Sequence, residues 1–335
     1  MSRTTRPYLY LFGAIALVVV LSFPLESVGS YQMRIVLNAG IMMILAVSLN
    51  LINGFTGQFS LGHAGFMAVG AYTAAGITTL VLKGGTAGMP EDLVLLMSLI
   101  AGGITAAIAG LLIGIPSLRL KGDYLAIVTL GFGEIIRVIL QNIPSLGGSL
   151  GISGIPTYTT FIWTFTILAI LIFITEMLMR STFGRGFLAT RDDEIAAESV
   201  GVNTTKYKVI AFVIGAFFAG VAGGLYGHFN NLISPRDFGF LKSVEIVVMV
   251  ILGGMGSTAG VLLAAALLTL LPELLRDVRL FGIAFSDFRM SIYSLFLILL
   301  MIYRPQGLLG DNDLRRLTGR FRKNRSTDKR KPAVT

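Results

Sequence analysis

Cysteine is absent from these 335 residues, and histidine (two), tryptophan (one) and charge (13% Asp, Glu, Lys and Arg) are scarce. Without cysteine there are no disulfides and no thiolate metal sites. The two histidines, His63 and His228, fall near opposite ends of different segments, which argues against a two-histidine metal site. The shortage of charge excludes an ordinary aqueous surface, because a soluble domain carries about a quarter charged residues. A fourth absence concerns energy: no GxxxxGK[ST] occurs, so no Walker-type phosphate loop is present.

What is present is apolar. Hydrophobic residues make up 54% of the chain, mean hydropathy is +0.79, and long apolar runs recur from end to end. The pattern is that of a polytopic, all-α membrane protein built as one helical domain. Bounded by charge or turn residues, the runs predict ten spans: 8–24, 33–52, 59–82, 92–115, 124–141, 160–179, 208–228, 242–253, 258–275 and 288–303. They are too long for strands and lack period-2 alternation, and backbone in lipid needs internal partners, so each is expected to be helical. Arg3 and Arg6 before the apolar run Tyr8–Phe23 resemble a signal peptide. The run is long for that role and many spans follow, so a retained first helix is expected.

The net charge of +9 is not spread as a nucleic-acid interface. Lys and Arg gather in a few short loops and in the tail after Arg304, the distribution expected at the cytoplasmic side of a membrane. With both termini inside, the inner segments hold nineteen basic residues against seven outside, which fits an even number of crossings. Residues 1–310 thus form the membrane domain, and 311–335 a basic tail beside anionic lipid, expected to be disordered.

Polar residues within this apolar chain are the candidates for function. In LINGFTGQFSLGHAGFMAVGAYTAA, Asn53, Gln58, Ser60 and His63 alternate with glycines. Gly62, Gly65 and Gly70 suit close helix contact. The polar side chains either line a wetted cavity or make buried helix–helix hydrogen bonds. Glu134 and Arg137, three apart, share a helical face, either as a packing pair or beside the transport path. Glu245 is similar, with Arg137 or Lys242 as its partner. The short run Lys242–Gly253 reads as a half-helix that breaks at GGMGSTAG. That glycine stretch also satisfies a dinucleotide fingerprint (Gly254, Gly256, Ala259), but the flanking runs are membrane-length and no βαβ unit surrounds it.

The largest inner loop, Ser181–Lys208, predicts a helix of ~11 residues, ~16 Å long, outside the bilayer. Thr190 serves as N-cap with Asp193 at the third position, Gly201 is the stop, and Ala196-Ala197 form an exposed face for another protein's groove. Ala196-Ala197-x-x-x-Gly201 resembles the EAA-type coupling loop of ABC importer permeases, with Ile195 standing where that pattern has Glu. LNLINGFTGQFSLGHAGFMAVGAY, GDYLAIVTLGFGEIIRVILQN, GGSLGISGIP, RDDEIAAESVGVN with AFVIGAFFAGVAGGLYG, and SVEIVVMVILGGMGSTAG occur in this order. Together, over about 35–310, they resemble the branched-chain amino acid permease family of the LivM type.

The resemblance implies the ABC importer permease fold and a non-enzymatic subunit of the bacterial inner membrane with no cofactor of its own. ATP would be used by two cytoplasmic ABC ATPases. The other implied partners are a LivH-type sister permease and a periplasmic amino-acid-binding protein. Arg191, Asp193, Glu194, Ala196, Ala197, Glu198 and Gly201 would then seat in the ATPase groove. Related permeases for urea or short amides share much of the pattern. An ion-coupled secondary transporter, with Glu134 and Glu245 as coupling sites, is the reading from a different class.

Overall fold

The computed structural model describes residues 6–25, 29–82, 88–117, 120, 122–274, 279–280, 283–284, 295, 298, 302 and 307–308. The tenth expected span falls almost wholly outside these residues. So do the tail from 311 and the loop cations Arg3, Lys83, Arg119, Lys121, Arg276 and Arg289.

Each of the first nine expected spans forms a helix. In chain order the helices are α1 (Arg6–Leu25), α2 (Ser30–Asn53), α3 (His63–Gly76, continued by a π-helical turn Ile77–Val81), α4 (Glu91–Ser117), α5 (Asp123–Gln141) and α6 (Phe161–Arg180). Two short helices, α7 (Thr182–Asp192) and α8 (Glu194–Ser199), precede α9 (Thr204–Asn230), α10 (Phe240–Gly253) and α11 (Thr258–Leu274). By length and composition, α2, α3 with its π turn, α4, α6 and α9 are long and apolar enough to cross a membrane. The expectation of no strands needs one correction. β1 (Ile152–Ser153) pairs with β2 (Leu232–Ile233), and β3 (Arg279–Leu280) with β4 (Ile283–Ala284), both antiparallel. Pairs of two residues leave no periodic signal in a sequence.

Local chemistry sets several helix ends. Thr160, Ser181 and Asn203 accept from the backbone N–H of Trp163, Phe183 and Lys206 to start α6, α7 and α9. Asn231 closes α9 in the left-handed region, φ 63°.

Helices α3, α4 and α9 pack most closely, α2 lies against α9, α11 and α6, and α1 rests on α6. The middle of α2 is wholly enclosed: Ile41, Ile44, Leu45, Leu49 and Ile52 are all buried, and Phe66 meets Phe212 edge-on at 5.4 Å. The outer faces are apolar too. Val20, Ile108, Leu112 and Ile127 are each more than half exposed, as lipid-facing side chains are, and an apolar surface of this extent is foreign to a soluble monomer.

Glycines allow the close packing. A Cβ added at Gly62 would sit 2.4 Å from the Thr129 carbonyl oxygen, at the start of α3 against α5. Gly62→Leu, four carbons placed against the Thr129 backbone, is expected to lower stability by about 3 kcal/mol or more by overpacking and to reduce the yield of folded chain. A wild-type thermal midpoint in detergent would contradict this.

Contacts sort the connections into two ends. Residues 54, 191 and 256 meet at one end, the loop end. Ile152 with Ile233, and Glu134 with Phe240, meet at the other. The Leu308 N–H donates to the Leu252 carbonyl (2.7 Å), so the chain is back at the loop end by residue 308.

Candidate functional site

The first polar stretch is a break between α2 and α3. Residues 54–62 are not helical, so the third span begins at His63 rather than at Phe59. Asn53 causes this: its side-chain oxygen accepts from the Ser60 N–H (3.2 Å), and its amide donates to the Ser60 carbonyl (3.5 Å). A side chain that mimics backbone competes with the helix. Gly57, at φ 69°, takes the left-handed turn this requires.

The stretch is satisfied largely from inside the protein. Thr56 donates to the Ile52 carbonyl (2.7 Å), and the Gln58 amide donates to Thr56 Oγ1 (2.8 Å) and to the Lys208 carbonyl (3.3 Å). Ser48 donates to the Leu45 carbonyl, and its oxygen lies 2.8 Å from His63 Nε2, within hydrogen-bond distance. Thr129 Oγ1 and Ser243 Oγ accept from the Leu61 and Ala64 N–H groups, tying the break to α5 and α10. Asn53, Ser60 and His63 are therefore buried hydrogen-bonding groups: His63 joins α3 to α2 through Ser48, whereas Asn53 and Ser60 bond within the break. Gln58 differs, because it also lines a cavity of about 330 Å³ at the loop end.

A second break joins α10 and α11 at Gly254 to Ser257, with left-handed φ values of 98° at Gly254 and 87° at Gly256. α10 is short, as expected, but begins two residues before Lys242 and has 14 residues, ~21 Å at 1.5 Å per residue. The two breaks touch. Asn50 Oδ1 accepts from the Gly256 N–H at 2.9 Å. Arg191 reaches the same junction, where its Nη1 donates to the Gly54 carbonyl at 3.3 Å.

The loop after α6 departs from expectation in two respects. The expected single helix of ~11 residues is two helices, α7 and the six-residue α8. Its cap is Asp193, which accepts from the Ala196 N–H (3.0 Å); Thr190 lies within α7, bonded to the Gly186 carbonyl (2.8 Å). Gly201 is the stop, at φ 84°, with Gly201 N–H to the Glu198 carbonyl and Val202 N–H to the Ala197 carbonyl, a Schellman motif. The expected exposed Ala196-Ala197 face is also corrected. Ala196 is exposed, but Ala197 turns inward and is 5% exposed, while Ile195 is 69% and Val200 80% exposed. The outward apolar surface is Ile195 with Val200.

Two polar ties hold α8 to α9. Glu194 pairs with Lys208 Nζ at 2.7 Å, and Glu198 accepts from the Thr204 hydroxyl at 2.6 Å. Lys208, Asn50, Ser48 and Thr129 were not singled out from sequence. Asn50 and Asn53 lie three apart, on one face of the mostly apolar second half of α2, which is the signal the sequence carries.

At the other end, Arg137 Nε meets Glu134 at 2.6 Å, and the second carboxylate oxygen of Glu134 accepts from the Phe240 N–H at 3.0 Å. Glu245 pairs with Lys242 at 3.0 Å, not with Arg137. These four side chains are between 18% and 39% exposed. They lie on α5 and α10, and α5 buries few residues: Leu125, Ala126, Thr129 and Leu140.

Comparison with known proteins bears on this arrangement. Residues 31–303 match the family model described as branched-chain amino acid transport system / permease component. The high-affinity branched-chain amino acid transport system permease protein LivM of Salmonella typhimurium is 36% identical, over 91% of this chain and 76% of its own length. LivM of Escherichia coli is 38% identical, over 80% and 68%. LivH of Escherichia coli is 26% identical, over 80% and 90%. No solved structure matches. The extent of the family match and the identity to two LivM proteins establish that this chain belongs to the branched-chain amino acid transport permease family.

Proposed function

We propose that this chain is the membrane-spanning subunit of an ATP-driven importer of branched-chain amino acids, with two separate ATPases, a sister permease and a periplasmic binding protein as partners. Family membership supports the reading, and the observation that carries it is α8. This helix stands at the loop end with Ile195 and, at its C-cap, Val200 exposed, and is held from behind by Asp193, Glu194 and Lys208. An apolar pair displayed on a braced helix suits a groove on a partner. In the inner membrane the loop end is the cytoplasmic end, both termini are inside, and ten crossings connect them.

The path does not run through the middle of this chain, where α2, α3 and α9 are filled with buried side chains. Glu134, Arg137, Lys242 and Glu245 are better candidates, because partly exposed charges on a membrane face avoid lipid and turn to protein or water. A sister permease facing α5 and α10 would enclose a route between the two chains. The ion-coupled reading is less well supported, since Arg137 and Lys242 already neutralise the carboxylates it would use.

Leucine uptake by cells carrying the full system is expected to stop on ATP depletion and to persist with a proton uncoupler while ATP is maintained. Isoleucine and valine in excess should compete, and urea should not. Uptake lost to the uncoupler at normal ATP would mark a secondary transporter instead. Competition by urea or short amides would move the substrate to that class.

A further inference from the structure

We infer that Arg191 is the positioning residue that transmits movement of the α7–α8 loop to both helix breaks at once. The inference rests on the proposed ATP-driven function. Arg191 lies at the end of α7, two residues before the cap of α8, yet its side chain points back into the bundle rather than out towards a partner.

Three observations converge on it. Its guanidinium donates to the Gly54 carbonyl, 3.3 Å away, in the first break. Its backbone and stem lie against Gly57, where an added Cβ would meet the Arg191 Cγ at 3.0 Å and Cα at 3.3 Å. Its Nη1 also lies 2.9 Å from where a Cβ would stand at Gly256, in the second break. Asn50 closes the junction by accepting from the Gly256 N–H. A Cβ at Gly256 would stand where the guanidinium lies, and one at Gly54 would meet the Gly256 backbone nitrogen, so the two breaks approach each other at backbone distance beside Arg191.

The consequence is mechanical. α2 ends at the first break and α3 starts from it; α10 ends at the second and α11 starts from it. A displacement of the loop that carried the guanidinium would pull on four helix ends together. The adjoining cavity of about 330 Å³, lined by Gly57 and Gln58 on one side and by Thr190, Asp193 and Glu194 on the other, gives the loop space to move relative to the break. Arginine suits the task because a rigid planar group can donate to the Gly54 carbonyl while lying against Gly256, as a lysine ammonium on a flexible stem cannot.

Two measurements test this. In the complete complex, reconstituted with its ATPases and binding protein, leucine moved per ATP hydrolysed is expected to fall at least about tenfold in Arg191→Ala, the effect of losing one hydrogen bond from a charged donor. Arg191→Lys should lie between Ala and wild type. A wild-type ratio in Arg191→Ala overturns the inference. So does loss of ATPase co-purification in that variant, which would assign Arg191 to the partner surface.

The second measurement needs neither partners nor transport. Amide hydrogen exchange of the full chain in lipid nanodiscs should rise about tenfold or more in Arg191→Ala, in peptides covering both 50–62 and 253–258. Arg180→Ala, which removes an exposed pair with Glu176, should change neither. Faster exchange in one break only, or in none, overturns the tie. Faster exchange in both, in a chain whose wild-type complex shows no ATP-driven uptake, would support the tie and reject the proposed function.

Discussion

Gly220→Leu is expected to leave no monodisperse folded chain. At Gly220 of α9 an added Cβ would stand 2.4 Å from Ala106 Cβ and 2.6 Å from the Gly102 carbonyl oxygen, both on α4. At Gly70 of α3 it would stand 2.1 Å from the Gly220 carbonyl oxygen, and at Gly102 it would stand 2.7 Å from that of Gly70. Three helices therefore meet backbone to backbone, with no flexible side chain able to give way. Relief requires the helices to separate, and lipid gives them no hydrophobic reason to stay together once packing is lost. Overpacking by one or two methylenes costs about 1–3 kcal/mol in a core that can adjust. A leucine against three fixed backbones should exceed that range. Gly220→Ala should already lower the thermal midpoint in detergent. Gly13→Leu, where nothing lies within 4 Å of the added Cβ, should elute and melt as wild type. A Gly220→Leu chain that did the same would refute the close-contact role of these glycines.

The helices themselves were legible because membrane-length apolar runs state them directly, and charge marks where they stop. Their ends were less legible. His63 rather than Phe59 opens α3 because the Asn53 side chain captures both backbone groups of Ser60, and an asparagine seven residues upstream carries no mark in the sequence of what it will bind. Thr190 fits the cap of a single loop helix with Asp193 at its third position, yet Asp193 is the cap that forms. Ser181 starts α7 twelve residues before Asp193, which places Thr190 inside that helix and bonded to Gly186.

The candidate site divides the same way. Glu134 with Arg137, at a spacing of three, and Gly201 as a stop follow from local rules, and both stand as expected. The Glu194–Lys208 pair and the reach of Arg191 to Gly54 are tertiary. The latter joins positions 137 residues apart, and no periodicity encodes it. The inward turn of Ala197 is a related case. Ala196 and Ala197 are equally small and adjacent, but successive residues on a helix point about 100° apart, and only the seating of α8 on α9 decides which one is covered.

That seating determines how the partner contact should be tested. Ile195→Asp with Val200→Asp is expected to abolish ATP-driven uptake and co-purification of the ATPases while the chain folds normally. Both side chains are mostly exposed, at 69% and 80%, so substitution should change the fold by no more than about 0.5 kcal/mol. At an interface, losing a central apolar anchor costs about 2 kcal/mol or more, roughly thirtyfold in affinity, and a buried aspartate adds a desolvation penalty to that. The two effects should separate cleanly: a wild-type thermal midpoint with uptake near background. Ala197→Arg cannot make this separation. Ala197 is 5% exposed, so the arginine would have to be buried beneath α8 and would disturb the loop before any partner arrived. Retained uptake in the Ile195/Val200 double variant, with the ATPases still bound, would move the partner surface away from α8 and remove the main support for its role as the coupling helix.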